Sequence, residues 1–505
     1  MVKQLANPIP ENQLLNEVRE IYDELVIAER ECINVVDIVS QIDQTAGLSD
    51  EQWSLCTSLH RTLLHKHFDF FIVSQYPAAS PILRSLAQRY EMPGRMWRYG
   101  IYSYLELLHK RLPSVQEHIL SFIYFSYSMV TLLQEHFSAF EETWTECLGD
   151  LARYRAAVEN SDETVRRHWL NVSRDGYNQN IDQLSRTGQI QHYLAVISRP
   201  DTLQMFFYFS KALLSVDRFP KARESMIQLF NDTLSAPAEE HTLVTSFVAA
   251  HGVIFKRMPY DQFVTRSKFF LLKLLRETRR SGVEARERTL IMCCNIAAIL
   301  DYGEENGEFA MDFAHNANKS TADAYIVAKH WASALTPIES NIYLYPNYSS
   351  VFAFRSSLLT FHTLHMMFSQ ASEPNMHQAA HLSLAFLWCL TLHPIAMYRL
   401  EPLVPWLALA NYLNTLLHPE FNIAVTEAES FPQIEDTPTQ QLPEDFLIRG
   451  HRWSRLYYPV DFFKGAASEY DRPLIENPGT MFARIQRCLW LGIRIASVCL
   501  SWNSV

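Results

Sequence analysis

The sequence predicts an all-α protein of stacked antiparallel helices, and three observations carry that reading. Apolar residues recur at helical period along almost the whole chain. Prolines interrupt the period at intervals of about one helix length. Only 14 glycines occur in 505 residues, too few for a sheet-rich fold with many tight turns.

The interruptions fall at 77 to 81, 93 to 94, 113, 199 to 200, 219 to 220, 237 and 337 to 346. The residue before a proline resists helical angles, so these points divide the chain into roughly fifteen helices of about 12 to 25 residues. An apolar share of 48% and an aromatic share of 12% belong to a folded globular chain, long enough for more than one full core. The longest apolar runs, 119 to 133 and 382 to 397, are too short or too broken to span a bilayer and read as core helices, with no membrane partner. The N-terminus lacks a basic start followed by an apolar run, so no secretory leader is expected.

The first unusual helix is "LCTSLHRTLLHKHFDFFIV" (55 to 73). Leu55, Leu59, Leu63 and Phe70 form one stripe and Leu64, Phe68 and Phe71 another, which predicts an interior helix. Lys66 sits in the first stripe. Its ammonium either snorkels outward or pairs locally, or it meets an anion.

The second is "LGDLARYR" (148 to 155). On a helical projection Trp144, Cys147, Leu148, Leu151 and Val158 share an apolar face, with Arg155 inside it towards one edge. Arg153 falls on the opposite face among small residues, and Tyr154 lies between the two.

Residues 174 to 230 read as two helices, a break, and a third helix from near Phe219; Gly188, Ala195 and Ala212 are small residues among aromatics, the alternation of tetratricopeptide-like pairs. A polar seam at 231 to 241 divides the chain into helical domains at 1–235 and 240–505. The stretches 336 to 350 and 426 to 445 read as loops, the second acidic, proline-rich and exposed. An apolar helix at 484 to 500 returns to the body.

The runs "ECLGDLARYR" and "QIQHYLAVISRPDTLQMFFYFSKALLSVDRFPKARESM" resemble the 14-3-3-like domain of the Est/Smg proteins. These are the telomerase-associated ever-shorter-telomeres factors and the nonsense-mediated mRNA decay adaptors. "SFVAAHGVIFK", "LEPLVPWLALANYLNTLLHP", "LPEDFLIRG" and "RIQRCLWLGIRIA" agree in order. The resemblance implies a 14-3-3-like and tetratricopeptide-like bundle over 1–235, followed by a C-terminal layer of helical hairpins like the family's DNA/RNA-binding domain over 240–505.

It also implies phosphoserine-peptide recognition, with Arg153 and Tyr154 matching the phosphate-binding Arg-Tyr pair and Lys66 the facing lysine. The residue types suit phosphate, since arginine offers a two-pronged donor, lysine a point charge and tyrosine a hydroxyl. Arg155 adds to the field or pairs within the structure. Two features depart from the pattern. Val73 stands where true 14-3-3 proteins place an arginine, and 74 to 100 resembles fungal members. The implied partner is a phosphoserine-bearing protein such as a decay helicase, with a heterodimer with another family member as a further partner; the implied location is nucleus and cytoplasm.

A rival reading rests on 266 to 288, where Arg266, Lys268, Lys273, Arg276, Arg279, Arg280, Arg286 and Arg288 cluster with Phe269 and Phe270 nearby. Such a patch tracks a phosphate backbone, as in telomerase RNA or single-stranded nucleic acid. Alternatively Phe269, Leu272 and Leu275 are core beneath a solvated basic face. The net charge of −11 excludes a generic nucleic-acid binder, leaving only a patch. Eight cysteines form no CxxC pair and the histidines no HExxH, so no metal or cofactor is expected. The chain shows no phosphate loop, nucleophile elbow or paired-carboxylate site, and a non-catalytic protein is expected.

Overall fold

A computed structural model describes residues 10–42, 47–179, 187–237, 240–279, 284–307, 309, 348–368, 376–417, 426–432, 441–463 and 478–498. Among these the chain is helical; its β-type pairings there are two isolated bridges, Thr187 with Asp217 and Ser215 with His451. It divides into two compact units, Met1–Ile181 and Asp182–Val505. The seam read at 231 to 241 lies within the second unit; of the loop read at 336 to 350, residues 336 to 347 lie outside the described residues and 348 to 350 begin a helix instead.

The first unit opens with α1 (Glu11–Gln41), whose buried residues Leu14, Val18, Leu25, Ala28, Cys32 and Val39 step along one stripe. It packs on α2 (Asp50–Ser74), which starts at a capping box formed by Ser49 and Gln52. Pro81 begins α3 (Pro81–Arg89) behind a Ser80 cap. Then come α4 (Met92–Arg95), a π-helical turn over Met96–Tyr102, and α5 (Ser103–His109). The unit closes with α6 (Gln116–His136), α7 (Glu141–Val158) and α8 (Glu163–Gln179), α7 packing against both neighbours.

The interior reading of α2 holds for most of its residues: Leu63, Leu64, Phe70 and Phe71 are fully buried and Leu59 and Phe68 pack against the same core. Leu55 departs from it at 71% exposed, and Trp53, Thr57, His60 and His67 join the buried side instead. Two histidines belong to the core because each is kept neutral there. Burial pulls His60 down to about 4, and its ring stacks 4.3 Å from that of Tyr104 while Nδ1 bonds the Gly100 carbonyl at 3.0 Å. Burial, helped by the Arg95 charge, takes His67 to about 3.

The second unit stacks helices in sequence: α9 (Gly188–Ile197), α10 (Thr202–Leu214), α11 (Ala222–Leu234), α12 (Leu243–Phe255), α13 (Tyr260–Arg279) and α14 (Ala285–Ile299). Each of α9 to α12 packs on the next, and α14 packs on α10. Pro200 and Pro220 stand between helices as expected. Gly188 and Ala212 also behave as read: a β-carbon on Gly188 would lie 2.3 Å from the Ala212 carbonyl oxygen, so only glycine fits. The core centres on Phe206, whose ring meets those of Phe230, Phe247, His251 and Tyr302.

Further helices are α15 (Tyr348–Phe368), α16 (His377–Thr391), α17 (Pro394–Leu400), α18 (Trp406–Thr415), α19 (Pro443–Ile448) and α20 (Pro478–Ala496). Here the acidic loop read at 426 to 445 needs correction. Its end is not exposed: Glu444 is 1% and Asp445 0% exposed. Arg484 on α20 takes Glu444, together with His381 on α16, and Arg487 on α20 takes Asp445. Paired carboxylates enter a core that unpaired ones cannot, and the arginines that allow it lie some 40 residues further along the chain.

Candidate functional site

Arg153 and Tyr154 project from α7 near its C-terminal end. The guanidinium donates through Nε and Nη2 to Asp150 Oδ1 at 3.3 and 3.0 Å, one helical turn back. Its central carbon lies 4.7 Å from the centre of the Tyr154 ring, and 20% of the side chain remains exposed. Tyr154 donates its hydroxyl to Glu106 Oε1 on α5. Asp150 also accepts from the Tyr177 hydroxyl of α8 at 2.7 Å. The site therefore contains an arginine and a tyrosine, each already held by a carboxylate.

The small residues beside Arg153 serve helix packing. Gly149 and Gly176 meet where α7 crosses α8: a β-carbon on Gly176 would lie 3.4 Å from Gly149 Cα, and one on Gly149 would collide with the Tyr177 ring at 2.8 Å. Ser173 on α8 donates to the Gly149 carbonyl at 2.8 Å. The face of small residues around Arg153 is thus covered in part by α8. Glycines permit the close approach that brings Tyr177 onto Asp150.

Burial in this corner moves protons. It pushes the Glu146 carboxyl up to about 7, with the Asp150 charge adding to the effect. It also raises Asp150, although the Arg153 charge and the Tyr177 bond pull the other way. Burial opposes the charge of Arg153, but Tyr177 and Asp150 outweigh it and leave the guanidinium more basic than usual. Tyr154 is pushed up by burial and by its bond to Glu106.

Lys66 makes a different bond. Its ammonium lies 2.5 Å from Glu24 Oε2 on α1, with 31% of the lysine side chain exposed. The local-pairing alternative is the one realised for it. Beside the pair a cleft of about 380 Å³ is lined by Glu17, Glu20, Glu24, Asp69, Ile72 and Val73. The departure at Val73 thus falls in a strongly acidic cleft. Arg155 is 7% exposed, pairs with Glu159 at 3.0 Å, donates to the Tyr124 hydroxyl at 3.3 Å and lies over the Tyr124 and Trp169 rings. It pairs within the structure.

In the basic stretch, the buried line of α13 runs through Phe263, Ser267, Phe270, Leu274 and Thr278. None of Phe269, Leu272 and Leu275, the stripe read from the sequence, is on this line, and Leu272 is 43% exposed. Lys268, Arg276 and Arg286 are exposed, and Arg266 and Lys273 half-buried. Arg288 is 1% exposed, with Nη1 3.1 Å from Met376 Sδ, and is inaccessible to a ligand. Arg279 lies within α13; Arg280 lies outside the described residues.

The sequence reading missed Asp150, Glu106 and Tyr177 as partners of the site. Asp150 had a signal, since an acid three residues before an arginine faces it on a helix. Glu106 and Tyr177 had none, because tertiary packing alone brings them in. Among the described residues no group of histidine, cysteine and carboxylate side chains is arranged to hold a metal ion, and no helix is long and apolar enough to cross a membrane.

Over 231 residues the chain is 23% identical to a protein named EST/SMG-like protein 2 from Saccharomyces cerevisiae. The kinship this supports is Est/Smg-like. The matched stretch covers 44% of this chain and 18% of that protein's length. No protein-family model matches the chain. An Est/Smg-like kinship and an all-α structure agree with the resemblance read from "ECLGDLARYR" onward.

Proposed function

We propose that this chain is a non-catalytic adaptor that binds a phosphorylated protein partner in telomere maintenance or nonsense-mediated mRNA decay. The name of the yeast relative supports the setting. The single observation that supports the chemistry is the Arg153 and Tyr154 pair, the guanidinium carbon 4.7 Å from the ring centre on one helix with 20% of the arginine side chain exposed. A phosphate would take Arg153 from Asp150, which keeps its Tyr177 bond, and the Tyr154 hydroxyl from Glu106. Lys66 would join after leaving Glu24. The exchange of one anion for another on the same donors is close to balanced, so affinity depends on the second negative charge of the phosphoryl group.

The test is calorimetry of the full chain with paired phosphorylated and unphosphorylated Ser-Gln peptides. A preference above about tenfold for the phosphorylated form, with a shallow salt dependence, is expected. Equal affinities would end the reading. One observation favours a second reading: Lys268 and Arg276 share an exposed face of α13 with Val264 and Leu272, at i, i+4 spacing. A single-stranded nucleic acid on that face would show a steep slope of log affinity against log salt instead.

A further inference from the structure

The outer face of α1 carries two exposed isoleucines, Ile27 at 58% and Ile38 at 62%. They stand about three helical turns apart and so lie on one line along the helix. Glu20 and Glu31 fall on the same line, two turns before Ile27 and one turn after it, and both are exposed. The neighbouring helix α2 runs antiparallel. Its Lys66 meets Glu24 and its Val73 shares a cleft with Glu17, so a step forward on α1 is a step back on α2. By that register the exposed Leu55 of α2 falls near Val35 and Ile38.

The charge on this face has one sign. Among the residues of α1 there are eight carboxylates and two arginines. Glu29 is turned to Arg95 and Glu24 to Lys66, while Glu17, Glu20 and Glu31 make no ion pair among the described residues. At the N-terminal end of the line lies the cleft of about 380 Å³, into which Glu17, Glu20, Glu24 and Asp69 gather with no lysine or arginine on its wall. Ile72, exposed, and Val73 form its apolar side. Single exposed apolar residues need no account. A row of them set between carboxylates is relieved on both counts by a partner that covers the apolar side chains and brings positive charge.

We propose that the outer face of the α1 and α2 hairpin docks a basic amphipathic helix of a partner protein. Its apolar side chains rest on Ile27, Ile38 and Leu55, and one lysine or arginine enters the acidic cleft, its alkyl stem along Ile72 and Val73 and its charge among the carboxylates. Charge selects this occupant. A nucleic acid would meet like charge here, and a second copy of the same face would set carboxylates against carboxylates. The surface is separate from the phosphate reading at Arg153, but it touches Lys66: the incoming cation competes with that ammonium for Glu24.

The experiment titrates the full chain by calorimetry with two acetylated, amidated peptides of leucine and lysine, about four helical turns long. One carries its leucines at helical period and the other has the same composition with its leucines redistributed. The helical-period peptide is expected to bind about tenfold tighter or more, since only it presents one apolar face. Ile27→Asn with Ile38→Asn is expected to remove that advantage, and both side chains are exposed, so folding is expected to be unaffected. Lys66→Met is expected to tighten the helical-period peptide by about two- to fivefold, because a surface competitor is gone. The phosphate reading expects the same variant to weaken a phosphopeptide, which keeps the two readings distinguishable. Equal affinities of the two peptides, displacement of the helical-period peptide by spermine at equal charge concentration, binding unmoved by the isoleucine substitutions, or no binding would overturn the proposal.

Discussion

Arg484 holds Glu444 through two hydrogen bonds, Nε to Oε1 at 2.6 Å and Nη2 to Oε2 at 2.9 Å, with both side chains almost wholly withdrawn from water. His381 bonds the same carboxylate at 2.9 Å and passes the network to the Tyr457 hydroxyl at 2.6 Å. A buried pair of this kind contributes little net stability, but breaking it leaves a lone charge. Arg484→Met is therefore expected to cost about 3 to 5 kcal/mol in urea unfolding. Glu444→Gln added to it is expected to recover much of the loss. A single variant with unchanged stability would show that the pair is not what fastens α19 to α20.

Two carboxylates give opposite dependences on pH. The Glu444 carboxyl is buried, but Arg484 and His381 outweigh burial and hold it well below its ordinary value of 4.5. Its contribution is full above that ordinary value and is lost as pH falls towards the folded one. Glu146 is raised from 4.5 to about 7, so the folded state binds its proton more tightly than the unfolded chain does. Its contribution is full below 4.5 and is lost as pH rises to about 7. Glu146→Gln is expected to flatten the stability profile across that interval while leaving the acid limb in place. A profile unchanged by the substitution would remove the assignment.

These cases also show what periodicity can read and what it cannot. Helical spacing and prolines were enough for an all-α chain, and the small residues Gly188 and Ala212 marked a true close approach. Binary patterning failed where a polar residue is buried. His60 and His67, counted as polar, stay outside the stripes read for α2, yet both are buried and burial holds them neutral, and Glu444 and Asp445, counted as solvated, turn a buried anchor into a loop. The candidate site was half legible for the same reason. Arg153 and Tyr154 stand out in "LGDLARYR", whereas the bond of Lys66 to Glu24 joins residues on different helices and follows only from packing.

Gly188→Ala tests the close approach directly. The added carbon would stand 2.3 Å from the Ala212 carbonyl and 2.8 Å from Phe219 N, both backbone atoms that cannot rotate away. The expected cost is about 2 to 3 kcal/mol by urea unfolding, at the upper end for overpacking. Phosphopeptide affinity is expected to be unchanged in the folded fraction, because Gly188 and Arg153 belong to different units.

The two arginines of "LGDLARYR" are separated by one double substitution. Arg153→Gln removes the donor proposed for phosphate, and peptide affinity is expected to fall more than about tenfold. It also strips Asp150, 3% exposed, of its cation, so stability is expected to drop by about 1 to 3 kcal/mol. Asp150→Asn on top of it removes the stranded charge while keeping an oxygen for the Tyr177 hydroxyl. That pair of changes is expected to restore stability and to leave binding lost. Arg155→Gln is expected to do the reverse, loosening the contacts with Glu159, Tyr124 and Trp169 and sparing affinity. Wild-type phosphopeptide affinity in the folded Asp150→Asn, Arg153→Gln protein would take phosphate recognition away from this helix, whatever Arg155 does.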